Sequence, residues 1–226
     1  MSIDPLAEKY AYQSPYNFAE NRVIDGRELE GLEWVDSKNV KVYDPSIVNK
    51  DGSKGNFTSA VTTEHRNLAK SLNQTGTGKE QFQTLVNSTH PIQTVLDNAS
   101  APKDGAGKLI FGSTKNSGVM TGTNPDTGKV EDATVASSTI TFFTKNIGKL
   151  DTAVNDGDKS TGGTLYGTKV PEGTNYSEII GAIFGHEIDH TTIENTIIEA
   201  NGGNYEHNPT QISNKIIKES NEEKQQ

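Results

Sequence analysis

Two histidines one helical turn apart with a glutamate between them, His186-Glu187-Ile188-Asp189-His190, are the residues of this chain whose types and spacing can do chemistry. On a helix, side chains at i and i+4 emerge on one face, so both imidazoles can close on a single Zn²⁺. Glu187 then stands beside the ion, placed to take a proton from a water that the metal acidifies. The pattern arises by chance in roughly one chain in a hundred of this length and composition. The competing reading is a pair of inert core histidines. It leaves Glu187 as a buried carboxylate without a partner, which is costly.

The segment ahead of the pair carries helix signals. Asn175 and Glu178 have capping-box spacing, and Ile179, Ile183, His186 or Glu187, and His190 follow one helix face. A catalytic zinc takes three protein ligands plus water. The chain has no Cys, so the third donor must be another His or a carboxylate from beyond His190. Were the helix to run on, Glu194 would lie about 12 Å of rise from His186, and Glu199 farther still. The chain must therefore reverse first, and Asn201-Gly202-Gly203 is the expected C-cap and turn. Glu206 and His207 are the first donors after it. Asn208-Pro209 then reads as the N-cap and first residue of a second helix bearing Ile212, Ile216 and Ile217. Glu219 on that helix is the fallback ligand, and Tyr205 and His207 are candidate donors to an oxyanion.

The His-Glu-x-x-His spacing resembles that of the zincin metallopeptidases. The metzincin continuation wants Gly and His three and six residues after the second His, where this chain has Ile193 and Thr196, and no Asp follows Asp189. What is left resembles the Glu-ligand zincins. That resemblance implies zinc held by His186, His190 and Glu206, with Glu187 as general base. It also implies an α+β fold: a small mixed sheet, whose edge strand receives the substrate backbone, then the active-site helix and a C-terminal helix.

Among the elements that must position these groups, Ser138–Thr144 is β-branched and aromatic throughout, and Thr139–Thr144 is expected near the cleft. Val40–Tyr43, Lys108–Gly112 and Gly118–Thr121 read as further strands, and Asn124–Gly128 as a tight turn. Thr62–Leu72, Glu80–Val86 and Ile92–Ala99 carry weak helical periodicity, interrupted at Gln74–Gly78 and His90-Pro91. His65 and His90 read as surface or cap residues. Asp156 and Asp158 read as a plain turn, because the ligand spacing of a calcium loop is missing.

The leader has a different character. Asp4-Pro5-Leu6-Ala7-Glu8-Lys9-Tyr10, Ser14-Pro15-Tyr16, Asn21-Arg22-Val23-Ile24-Asp25 and Glu30-Gly31-Leu32 occur in that order. They resemble the end of the Rhs repeat-associated core of Bacteroidetes-type Rhs/YD-repeat proteins. The resemblance implies a core remnant over residues 1–34 that belongs to a β-shell. It implies a toxin domain over 35–226, with the peptidase part at about 105–226. Delivery into a target cell by a dedicated secretion system and a cognate immunity protein follow from the same resemblance. That family's core ends in a self-cleaving Asp-Pro-x-Gly-Leu; here Glu28-Leu29 stand before Glu30-Gly31-Leu32, so the Asp-Pro is missing at the expected cleavage point after Leu32.

A net charge of −9 with no basic run weighs against a nucleic-acid partner. No apolar stretch approaches membrane length, and the N-terminus has no signal-peptide core. The expectation is a zinc metalloendopeptidase toxin acting on protein or peptide. Its rivals are a metal-dependent nuclease built on His186, His190, His207 and Asn208, and a non-catalytic remnant or interaction module.

Overall fold

The computed structural model of the chain describes residues 34–156 and 163–224. Strands β1 (Trp34–Val35), β2 (Tyr43–Val48) and β3 (Lys54–Phe57) lead into helices α1 (Thr63–Leu72) and α2 (Gly76–Val86). Five strands follow: β4 (Ile92–Asp97), β5 (Gly112–Ser117), β6 (Met120–Thr123), β7 (Val130–Thr134) and β8 (Ser137–Phe143). Helix α3 (Thr144–Asn155), the short pair β9 (Thr164–Leu165) and β10 (Thr168–Lys169), and helices α4 (Tyr176–Asp189), α5 (Ile193–Ala200) and α6 (His207–Glu223) complete an α+β fold.

The strand with the strongest sequence signal lies inside the main sheet, whose order is β1-β4-β8-β5. Strands β1, β4 and β8 run parallel, and β5 returns antiparallel along β8 with Gly112 opposite Phe142, Thr114 opposite Ile140 and Asn116 opposite Ser138. Alternation sets the faces: Ser138, Ile140 and Phe142 are buried, while Thr139, Thr141 and Phe143 are only partly so. Helix α4 packs on that buried side, where the Phe142 and Phe184 rings meet edge-on at 5.3 Å. It is hydrophobic nearly all round, as a helix enclosed by neighbours must be. Gly181 makes the enclosure possible, because a Cβ there would sit 2.5 Å from the Ser71 carbonyl oxygen of α1.

Several expectations need correction. Ile92–Ala99 is not helical: Ile92–Asp97 is strand β4, paired on both sides, and its β-branched Ile92, Thr94 and Val95 suit that position. Helix α2 begins at Gly76, not Glu80, because Thr75 caps it by accepting from the Gly78 N–H at 3.0 Å. Lys108–Gly112 is the approach to a strand that starts where that stretch ends, and α3 had no sequence assignment. His90 is buried, not on the surface. His65 is buried too, although it does cap, with its Nδ1 accepting from the Thr62 N–H at 3.2 Å.

The leader hairpins before Trp34, the Leu32 junction and Asp158 lie outside the described residues. Trp34 was grouped with the leader, yet it is fully buried with Phe82 and Phe184 around it, and its β1 pairs with β4. A boundary between leader and domain therefore belongs before Trp34. Helices α1 and α2 share one core with α4, so residues 35–105 are part of the same packed unit as the histidine helix. No helix among the described residues is long and apolar enough to cross a membrane.

Candidate metal centre

Helix α4 starts as its sequence dictates: the Asn175 side chain accepts from the Glu178 N–H at 3.1 Å, and Glu178 Oε2 accepts from the Asn175 N–H at 2.8 Å. It does not run on to Asn201. The Thr191 and Thr192 hydroxyls donate back to the Ile188 and Asp189 carbonyls, both at 2.7 Å, and close the helix off behind His190. Thr192 then caps α5 by accepting from the Asn195 N–H. The later reversal falls where the sequence put it, with Asn201 as C-cap of α5 and Gly202 at φ 69°. Helix α6 begins at His207, two residues earlier than expected, so Glu206 itself is the N-cap residue.

These turns bring three donor atoms together. His186 Nε2 lies 3.2 Å from His190 Nε2, and Glu206 Oε2 lies 3.3 Å and 3.5 Å from the two. Ligands bound at about 2.0–2.2 Å around a tetrahedral zinc are separated by about 3.3–3.5 Å, so these residues fit the ion as they stand. Among the described residues this is the group of His and carboxylate side chains whose atoms could hold a metal. Asn195 stitches the corner together. Its Nδ2 donates to the Tyr205 carbonyl at 2.7 Å, and its Oδ1 faces His190 Nδ1 at 3.3 Å; in the neutral ring that pairing puts the proton on Nδ1 and leaves Nε2 free to ligate, whereas the protonated ring also donates from Nε2 to Glu206.

Hydrogen bonds from His186 and His190 hold the Glu206 carboxyl well below the usual carboxylate range. Burial pulls the His190 pKa down, but the hydrogen bond to Glu206 and the charges of Glu187 and Glu206 outweigh it, and the net shift is upward. Glu187 is pushed up by burial, against the pull of His186, His190, Thr114 and Tyr166. A carboxylate in that environment is a better base than one in water.

Two hydroxyls hold Glu187. Thr114 Oγ1 lies 2.8 Å from its Oε2 and 2.9 Å from its main-chain carbonyl, and the Tyr166 hydroxyl donates to Oε1 at 3.0 Å. Gly112 leaves the space, since a Cβ there would come within 2.6 Å of Oε1. Tyr166 and Gly167 form the two-residue turn between β9 and β10 with φ 46° and 83°, the pattern of a type I′ hairpin turn. A tyrosine in left-handed backbone costs about 1 kcal/mol or more. Its ring is stacked on His186, with centroids 3.6 Å apart and planes within 3°. Burial and the Glu187 charge raise the tyrosine pKa well above its ordinary value, so the hydroxyl keeps its proton to donate.

The site opens into a cleft of about 1350 Å³ walled by β5, the 103–109 turn, Tyr166 and Tyr205. The strand beside it is β5, the outermost of its sheet, and not the expected Thr139–Thr144, which lies in the inner strand β8 up to Phe143 and enters α3 at Thr144. Phe143 N–H donates to the Phe111 carbonyl, so odd-numbered residues of β5 turn their backbone toward β8. Gly112, Thr114 and Asn116 therefore turn theirs outward, away from β8. Asn116 also braces the helix end, donating to the His190 carbonyl at 2.9 Å. Behind it Ser138 Oγ donates to Asn116 Oδ1 and faces His90 Nε2, each at 2.7 Å.

The remaining candidates have other positions. Glu219 is not at the site: it accepts from the Thr77 N–H and hydroxyl at 2.9 and 2.7 Å, holding the start of α2. His207 is exposed, with Nε2 3.0 Å from Gln211 Nε2, so the four-residue His/Asn set of the nuclease alternative is not assembled. Tyr205 lines the cleft with its ring 5.9 Å from that of His190. Sequence reasoning missed Thr114, Asn116, Tyr166 and Asn195. Only Tyr166 had a usable signal, a Tyr-Gly pair between Thr164-Leu165 and Thr168-Lys169. No family model, curated protein or solved structure matched the chain.

Proposed function

We propose that this chain is a zinc-dependent peptide-bond hydrolase with a zincin-like site. The observation that carries the reading is the triangle of His186, His190 and Glu206 donor atoms at tetrahedral separations, with the buried Glu187 carboxylate next in sequence to its first corner. A Zn²⁺ on those three residues supplies a Lewis acid for the scissile carbonyl and lowers the pKa of water at the site. Glu187 takes the proton of the attacking water and returns it to the leaving amine nitrogen. Thr114 serves both states of that carboxyl. Its hydroxyl donates to Oε2 when Glu187 is ionised; once Glu187 is protonated, it donates to the Glu187 main-chain carbonyl instead and its oxygen accepts from the carboxyl O–H. The outward backbone groups of Gly112, Thr114 and Asn116 pair with the substrate main chain as an added strand, a mode that tolerates many side chains. The leader's resemblance to an Rhs core supports reading this domain as a delivered toxin with a cognate immunity protein in the producer.

The experiment compares two matched substitutions in the full chain. Glu187→Gln should keep one equivalent of zinc by elemental analysis and lose at least about 10²-fold in turnover of an unstructured protein substrate. Glu206→Gln should instead lose the metal. Wild-type protein that takes up no zinc on refolding, or Glu187→Gln with full activity, overturns the proposal. A nuclease assay on the same samples then tests the alternative chemistry.

A further inference from the structure

The two histidines are oriented by different devices. His190 has a hydrogen-bonding partner for its second ring nitrogen, Asn195, as metal-ligating histidines almost always do. His186 does not. Its Nδ1 is buried with no partner, although the residue is only 2 % exposed. What lies against that ring instead is the Tyr166 phenol, parallel and 3.6 Å away, on a turn whose φ of 46° a tyrosine adopts only when its surroundings impose it. The same side chain reaches Glu187 with its hydroxyl. One residue thus touches both the ligand and the base.

We infer that Tyr166 is a positioning residue with two separable tasks. Its ring fixes the plane of His186 in place of the missing hydrogen bond, and its hydroxyl fixes the Glu187 carboxylate. The strained turn is retained because it delivers the ring flat onto the imidazole, a pose that the favoured Asn-Gly turn could not supply. This rests on the zinc peptidase reading, and the measurements separate the two.

Tyr166→Phe keeps the ring and the turn but removes the hydroxyl. Zinc affinity, measured by competition with a chromophoric chelator, should stay within about twofold of wild type while turnover falls about tenfold. Tyr166→Leu keeps apolar bulk and loses the flat stack. Its zinc affinity should fall about tenfold or more, the range seen when an outer partner of a ligand is lost. Melting of the metal-free protein, a readout of packing alone, should be alike in the two variants. Wild-type affinity in Tyr166→Leu overturns the inference and leaves the metal site standing. So does a loss of affinity in Tyr166→Phe as large as in Tyr166→Leu, or full turnover in Tyr166→Phe. If wild-type protein binds no zinc, the inference falls together with the reading beneath it.

Discussion

The four groups of the candidate site come from two unlike settings. His186, Glu187 and His190 stand at the end of a helix enclosed by α1, α2, α3, α6 and the sheet. Thr114, Asn116 and Tyr166 hold that end from outside the helix. Glu206 sits on the connection between α5 and α6, with its side chain 51 % exposed and no cap bond of its own to α6. Its peptide neighbour Tyr205 is tied down by Asn195. Glu187 and the two histidines, the proposed base and two of the proposed ligands, are therefore fixed by packing. Glu206, the proposed third ligand, is held by a few hydrogen bonds instead. Crowding should hurt the first setting and loss of a polar tether the second.

The strongest test of the packed side is Gly112→Ala. A methyl group there would collide with Glu187 Oε1, Cδ and Cγ at 2.6–2.9 Å, and Glu187 has no room to retreat because it is buried under Tyr166 and Thr114. A displacement near 1 Å of a catalytic group costs about 10²-fold in rate. Turnover should fall by that order with zinc content unchanged. Near-normal turnover would show that Glu187 is mobile and that the contrast between the two settings is false.

On the tethered side, Asn195→Ala removes the hydrogen bonds to His190 Nδ1 and the Tyr205 carbonyl together. Zinc affinity should fall about 10–100-fold. With zinc saturating, turnover should recover most of its wild-type value, because Glu187 and its hydroxyl partners are untouched. A variant that binds zinc normally would mean that Glu206 is seated by something other than Asn195.

The packed setting is also the one legible in the sequence. The capping box at Asn175 and Glu178, the apolar stripe and the i, i+4 histidines are local signals, and each has the expected geometry in the structure. The strand that braces the helix was not legible, because β5 reads Gly-Ser-Thr-Lys-Asn-Ser without one aliphatic side chain. Its polarity has a cause: Thr114 and Asn116 face the carbonyls of Glu187 and His190, a face that apolar residues would leave unsatisfied. The break after His190 was missed for a related reason. Thr191 and Thr192 are poor helix formers but not breakers, and it took their back-bonding to the carbonyls of Ile188 and Asp189 to end the helix. Ile92–Ala99 reads as helical because Ile92, Val95 and Leu96 stand at i, i+3 and i+4, a spacing that so short a run can show in either state. Only pairing with β1 and β8 decides it.

The smallest expected effect probes the brace from behind, through His90. Asn116 Nδ2 donates to the His190 carbonyl, so its Oδ1 must accept from Ser138, and Ser138 Oγ, having spent its hydrogen, accepts from His90 Nε2. The chain has one direction, and it needs a proton on Nε2. It is burial, not this hydrogen bond, that disfavours a second proton on the ring. Burial depresses the His90 pKa to about 4, against 6.5 for a free histidine. The unfolded chain therefore takes up this proton first, so the folded state is unaffected by it above pH 6.5 and loses stability as pH falls from there toward about 4. The loss from this group should be about 1 kcal/mol by pH 5.5. His90→Gln retains a donor and cannot titrate. Between pH 6.5 and 4.5 its unfolding free energy, from denaturant titration, should fall less steeply than that of wild type, with the two curves parallel above pH 7. Equal slopes would show that His90 is not held neutral by the fold.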